Sequence, residues 1–457
     1  MRLTWTQPED LVAAELAALR EQGAAESVLA PLEDRWIAAG GDPILQVEGA
    51  SAFPAPPALQ ATARQLLDEL AAVQPASENE PDEWASIERL LPPEPQLPRP
   101  DRADEDRVRG AWYGRAVGCL LGKPVEKLPR AGIEEIARAT GSWPITGYFT
   151  ARGLPADVAA RWPWNRRSAP TSLVENIDGM PEDDDLNFPL LALDLLEAHG
   201  SELTTEDVAA AWLANLPGGR VFTAERIAYR NLLDARPIPQ TATHHNPFRE
   251  WIGALIRVDV YGWAYPGSVR GAARLAWTDA RLSHSRNGLY GAMWAAALCS
   301  AALVVHTPAE ALDSADAVVP PRSRLAAAIA LGRRVGADRA AGVIDDAAAL
   351  DRLHAELGGL HWVHTLNNAA LIACALEASG ESIDRGIALA VACGWDTDSA
   401  GATVGSVLGA IGGLANIGAA WTGPIDGRIA TSLPGAPWRS IEDLAQRTLR
   451  LPERMPR

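Results

Sequence analysis

Cysteine is scarce in this 457-residue chain, and the four present (Cys119, Cys299, Cys374 and Cys393) stand far apart with no CxxC pair. That excludes a disulfide framework and a zinc site of familiar spacing. All four lie in apolar or Gly-rich helical stretches, where small buried thiols belong. Positive charge is short as well: 41 Lys and Arg against 58 Asp and Glu leave a formal net charge of −17. Nucleic-acid binding needs a basic stripe, so the balance argues against it and favours small or basic partners. The N-terminus, MRLTWTQPED, has no basic segment leading into an apolar run, so no secretion signal is legible. The longest apolar stretches, such as Ala402 to Ala420, are rich in Gly and Ala and suit buried helices rather than membrane spans. These absences predict a reduced, cytoplasmic setting and no membrane partner. Strict period-two alternation is almost missing too, which points to an all-α fold.

What is present is helical periodicity. Residues 1–90 read as a small helical extension: Asp10-LVAAELAALREQG stops at Gly23, and a second pattern runs from Pro57 to Ala72. Residues 91–105 are rich in proline and read as an extended linker that makes the extension separable. From 106 to 457 the chain alternates apolar or amphipathic helices with short Gly, Pro, Asn and Asp turns, which predicts one large helical domain.

Three stretches carry chemistry. In Arg109-GAWYGRAVGCLLGKPVE126, glycines recur at 110, 114, 118 and 122 and so share one helix face, as a close helix crossing requires. The helix must end near Pro124, which leaves Glu126 at the mouth of a tightly packed helix end. In Met180-PEDDDLNFP189, Pro189 is comfortable only in a first helical turn, so the helix is expected to begin at Asn187 or Phe188 with Asn187 as cap. Asp183 and Asp184 then belong to the preceding loop. In Cys393-GWDTDSAGATVG405, Asp396 and Asp398 precede an almost uncharged helix, and burying them there is expensive unless they are paired or bind a metal. Carboxylates converging from two such clusters would need a counter-cation, and oxygen donors suit Mg²⁺, Mn²⁺ or Ca²⁺ rather than zinc.

The three stretches, in this order, resemble the ADP-ribosylglycohydrolase family. The first is similar to the family's Gly-rich helix ending in Glu. Glu182-Asp-Asp-Asp185 lies where the family has Thr-Asp-Asp-Thr, and Gly394-Trp-Asp-Thr-Asp-Ser399 where it has Gly-Gly-Asp-Thr-Asp-Thr. The resemblance implies a compact multi-helix ADP-ribosylglycohydrolase-like domain with a binuclear Mg²⁺ centre, or Mn²⁺ in its place. Carried over by position, it implies metal ligation by Asp183, Asp184, Asp396 and Asp398, with Ser399 in place of the last Thr and Glu182 in place of the first. Cys119 stands where many members have Asp. Glu126, Asp184 and Asp396 are the candidates for moving protons.

By the same resemblance, His284 is similar to a histidine that contacts ADP-ribose, with Ser285, Asn287 and Tyr290 as further pocket candidates. His361 and His364, near Asn367 and Asn368, are weaker ones, and Arg257 with Asp259 reads as a buried pair. The activity implied is metal-dependent hydrolysis of a ribosyl C1 glycosidic bond, on an ADP-ribosylated protein or a small ADP-ribosyl conjugate. Departures at Cys119, Glu182 and Trp395 keep open a hydrolase of a small nucleoside-like N-glycoside. A non-catalytic ADP-ribose-binding protein is a third reading, although it would not require all four aspartates.

Overall fold

Two glycine-lined helices form the axis of the molecule, a computed structural model that describes residues 3–45, 49–75 and 78–455. The helix Glu105–Gly122 is capped by Asp104, whose side chain accepts from the Arg107 amide. It runs antiparallel to Thr397–Gly412, with Gly110 against Gly409, Gly114 against Gly405 and Gly118 against Gly401. The backbones touch directly: a methyl placed on Gly118 would lie 1.9 Å from the Gly401 carbonyl oxygen. The spacing of four legible in the first helix thus meets the same spacing in the second.

Other helices wrap this seam. Asn287–Ala302 is apolar on all sides and buried along its whole length. It lies against Val269–Ala280 and near the pair Arg324–Ala340 and Thr365–Ser379, which close on each other where Gly332 meets the Ala370 carbonyl. The expected all-α fold holds, with one small addition. Arg428–Ala430 and Trp438–Ser440 form an antiparallel two-stranded sheet, too short to leave an alternation in the sequence. No described helix is long and apolar enough to cross a membrane.

Residues 1–90 are helical as expected, in Pro8–Glu21, Glu26–Ala38, Pro57–Ala71 and Trp84–Leu90. They also pack against the rest of the chain. Glu15 pairs with Arg249 at 2.9 Å and Glu80 with Arg286 at 2.6 Å, all buried. The apolar faces of these helices join the same core as the rest of the chain. Residues 91–104 lack helix, as their prolines dictate, yet they lie on the main body: Arg270 donates to the Glu94 carboxylate and to the Pro92 carbonyl. The change near residue 100 is one of secondary structure, not a gap in packing.

Candidate active site

The seam ends in a cradle of carboxylates. At its last contact Gly122 lies against the backbone of Thr397 and Asp398, and the Thr397 hydroxyl donates to the Gly122 carbonyl at 2.9 Å. Lys123–Val125 then makes one 3₁₀ turn, and Glu126 emerges beside it, partly exposed. Asn165 donates to the Glu126 carboxylate at 2.5 Å. The first and third stretches of the sequence therefore meet because their glycines pack.

The acidic run reaches the same place, by a local structure that differs from expectation. The helix begins at Asp184, not Asn187, and Pro189 lies inside it. Pro189 has no amide for the Asp185 carbonyl four residues earlier. The buried Arg115 guanidinium replaces that donor, with its Nε 2.8 Å from the Asp185 oxygen. Asp183 is the N-cap, its Oδ1 accepting from the Asp185 amide at 2.9 Å. Asn187, freed from capping, instead donates to Glu182 at 2.8 Å and accepts from Thr431 at 2.6 Å. Just upstream, Met180 exchanges backbone hydrogen bonds with Arg428 and Ala430 of the first strand. The run is thus held from both sides, and Ser399 Oγ joins it to the third stretch by donating to Asp185 Oδ2 at 3.2 Å.

Three acids of the run have cationic partners from elsewhere in the chain. Glu182 pairs with Arg220 at 2.9 Å. Asp183 pairs closely with the buried Lys123 ammonium. Asp185 lies 3.4 Å from Arg115, whose other nitrogen pairs with Asp259 at 2.8 Å. The Asp184 side chain has neither an ion pair nor a hydrogen bond among the described residues. Burial, then the charges of Asp183, Asp185 and Asp398, push its carboxyl well above the ordinary range. Asp396 is pushed up by burial and then by Asp398, and Asp398 by burial and then by Asp183. Glu126 rises to about 8, from burial and the nearby Asp398. Such a group of mutually repelling acids has the electrostatics of a cation-binding site.

The fit to a metal differs across the cradle. Asp184, Asp396 and Asp398 offer hard carboxylate oxygens with no basic partner, and Ser399 adds a hydroxyl, a donor set suited to Mg²⁺ or Mn²⁺. The one group among the described residues whose donor atoms lie within 4.8 Å of one another is Cys119, Asp183 and Asp185. That corner already contains the Lys123 ammonium, and burial followed by the charge of Asp183 raises the Cys119 pKa, keeping a thiol there.

The expected pocket residues lie elsewhere in the packing. His284 is buried, with Nδ1 2.8 Å from the Ser283 hydroxyl, and burial and Arg257 hold its pKa well down. Ser285 donates its amide to the Arg249 carbonyl, and Asn287 donates to Glu250 at 2.7 Å. The Tyr290 hydroxyl donates to the Pro81 carbonyl, which belongs to the N-terminal segment. His361 stacks on Trp251 with centroids 4.2 Å apart, and His364 lies 3.3 Å from Glu21. Asn368 alone of that group reaches the cradle, its Oδ1 accepting from the Asp396 amide at 3.2 Å. The expected Arg257–Asp259 pair is corrected: Arg257 pairs with Glu225 and Asp279, and Asp259 with Arg115.

Sequence reasoning missed Lys123, Arg115 and Asp185 as members of the site. The available signal was two cations, at 115 and 123, in the stretch 110–125, which is otherwise made of small, apolar and aromatic residues. A charge there has no route to water and needs a buried acid.

Fold and site together define a class, an all-α protein whose glycine seam ends in a cluster of buried and part-buried carboxylates. The chain belongs to the ADP-ribosylglycohydrolase family, whose model matches residues 100–456. A solved structure described as an ADP-ribosylglycohydrolase-related protein complex is similar at 23% identity and a TM-score of 0.43, covering 77% of this chain and 98% of that one. A search of curated proteins finds no match.

Proposed function

We propose that the chain is a metal-dependent glycohydrolase that cleaves the ribosyl C1 glycosidic bond of ADP-ribosylated protein side chains or of small ADP-ribosyl conjugates. The observation that carries this reading is the meeting of Asp184, Asp396, Asp398 and Glu126 in a chain of this family, without enough basic partners to neutralise them. Asp184, Asp396, Asp398 and Ser399 would hold divalent metal, for which Mg²⁺ or Mn²⁺ is the candidate; the family pattern, which adds Asp183 and Glu182, implies two ions. Bound there, a divalent ion supplies Lewis acidity and a grip on vicinal ribose hydroxyls.

The remaining chemistry belongs to the side chains. Cleavage builds positive charge on the ribose ring, and nearby carboxylates stabilise it. Glu126, at the end of the seam, is raised to about 8 in the metal-free chain by burial and the nearby Asp398, which makes it the candidate for giving a proton to the leaving atom. Asp184 and Asp396 are the deeper candidates for taking a proton from the attacking water. Substrate contacts through His284, Ser285, Asn287 and Tyr290 would require uncovering groups that are buried and bonded inside the protein, so the reading rests on the carboxylates instead.

The test is release of free ADP-ribose from ADP-ribosyl-arginine, ADP-ribosyl-serine and O-acetyl-ADP-ribose, with Mg²⁺ or Mn²⁺ and with chelator. Turnover that needs metal and is lost in Asp398→Asn supports the reading. Release of base from simple nucleosides instead would transfer it to a nucleoside-type N-glycoside. ADP-ribose binding without any turnover would overturn catalysis.

A further inference from the structure

We propose that the Lys123 ammonium permanently fills one cation position of the cradle, so that the chain takes a single divalent ion, on the side of Asp184, Asp396 and Asp398. The inference rests on the proposed function only in supposing that the cradle takes divalent ions at all.

Three observations carry it. Lys123 Nζ pairs with Asp183 Oδ2 and donates to the Glu182 carbonyl oxygen at 3.2 Å, with both side chains under a tenth exposed. The other Asp183 oxygen, Oδ1, is engaged by the Asp185 amide, so the carboxylate that the family pattern assigns to metal has both oxygens in use. The Lys123 side chain is also enclosed, 7% exposed. It sits between Gly122, pressed on the backbone of Thr397 and Asp398, and Pro124, which restricts the turn. Withdrawing its ammonium from Asp183 would leave two buried charges unpaired.

A divalent ion beside Asp183 would face the ammonium at close range, with twice the repulsion of a unit charge. Asp185 offers no escape, since it is shared between Arg115 and the Ser399 hydroxyl. Neither does Glu182, which faces Arg220 and Asn187. What remains is Asp184, Asp396 and Asp398, none with an ion pair among the described residues, whose oxygens with water would complete the shell of one hard divalent cation. Lys123 is therefore a positioning residue: it fixes Asp183 as a helix cap and charge partner, and removes it from the ligand set.

The experiment counts metal. Metal-free full-length protein is titrated with Mn²⁺ by calorimetry and by electron paramagnetic resonance, beside Lys123→Ala. The expected result is one Mn²⁺ per wild-type chain with the spectrum of an isolated ion, and two per chain with a spin-coupled spectrum in Lys123→Ala. Two ions in the wild type, or still one in a folded Lys123→Ala, overturns the assignment. If Lys123→Ala fails to fold, the wild-type count decides alone: one isolated ion supports the proposal, and a coupled pair overturns it. The outcomes also separate this inference from the function. Two bound ions with ADP-ribose release sinks only the role of Lys123, whereas no bound ion with metal-independent turnover sinks metal dependence itself.

Discussion

Buried acids in two regions of this molecule behave in opposite ways. Under the N-terminal segment, Arg324 reaches both Glu80 and Glu250, Arg286 adds to Glu80, and Asn287 donates to Glu250. Burial opposes ionisation there, yet the hydrogen bonds and charge of Arg324 bring Glu80 down to about 2, and Arg324 likewise holds Glu250 below its ordinary value. At the end of the glycine seam, the buried Asp396 and the part-buried Asp184 and Glu126 are pushed up instead. Burial alone therefore does not set protonation; the balance of nearby charges does, and Asp185, beside Arg115 but also beside Asp183, is still pushed up. Where the chain provides cations the acids hold elements together, and where it withholds them the acids are left ready for an external cation and for proton transfer.

The strongest way to break this contrast is Asp184→Asn. ADP-ribose release should fall by about a thousandfold or more, as expected for loss of a metal ligand or proton acceptor. The metal-free melting temperature should stay level or rise, because an unpaired buried carboxyl is removed. A variant keeping full rate would show that the cradle is not the catalytic centre. Next in size is the seam that positions the cradle. Gly118→Val should destabilise by about 3 kcal/mol in urea denaturation, since even a methyl meets the Gly401 carbonyl at 1.9 Å.

Arg324→Met attacks the compensated region and leaves Glu80 and Glu250 short of charge. It should destabilise by about 2 kcal/mol, below the value for a fully enclosed pair because the Arg324 side chain is 28% exposed. Its ADP-ribose release at a permissive temperature should change little, which separates the two regions. The smallest effect is on pH dependence. A carboxyl raised from 4.5 to about 8 favours the folded state when protonated, so its contribution is complete below pH 4.5 and is lost as pH rises through 8. The metal-free chain should melt lower at pH 8 than at pH 5, by about 1 kcal/mol from Glu126 once its partial exposure is allowed for. Glu126→Gln or added Mn²⁺ should flatten that slope.

Much of the site was legible in one dimension. Glycines at 110, 114, 118 and 122 announced a close crossing, and the paired aspartates at 183–184 and 396–398 announced oxygen chemistry. The start of the helix at Asp184 was not legible. Pro189 looked prohibitive because nothing near it in sequence supplies the missing donor; Arg115 does so from another helix. The pairing of Arg257 failed for a like reason: its acids, Glu225 and Asp279, come from separate helices, while the neighbouring Asp259 turns to Arg115.

The sequence by itself determined the helical fold, the spacing of the glycine seam and the identity of the acids, because these follow from local periodicity and residue chemistry. Only the tertiary structure decided which acids are answered. Of Glu182, Asp183, Asp184 and Asp185, adjacent and nearly alike in sequence, three pair with Arg220, Lys123 and Arg115, and Asp184 has no ion pair among the described residues. Charge compensation depends on distance through space, and the three partners of that short run come from remote parts of the chain.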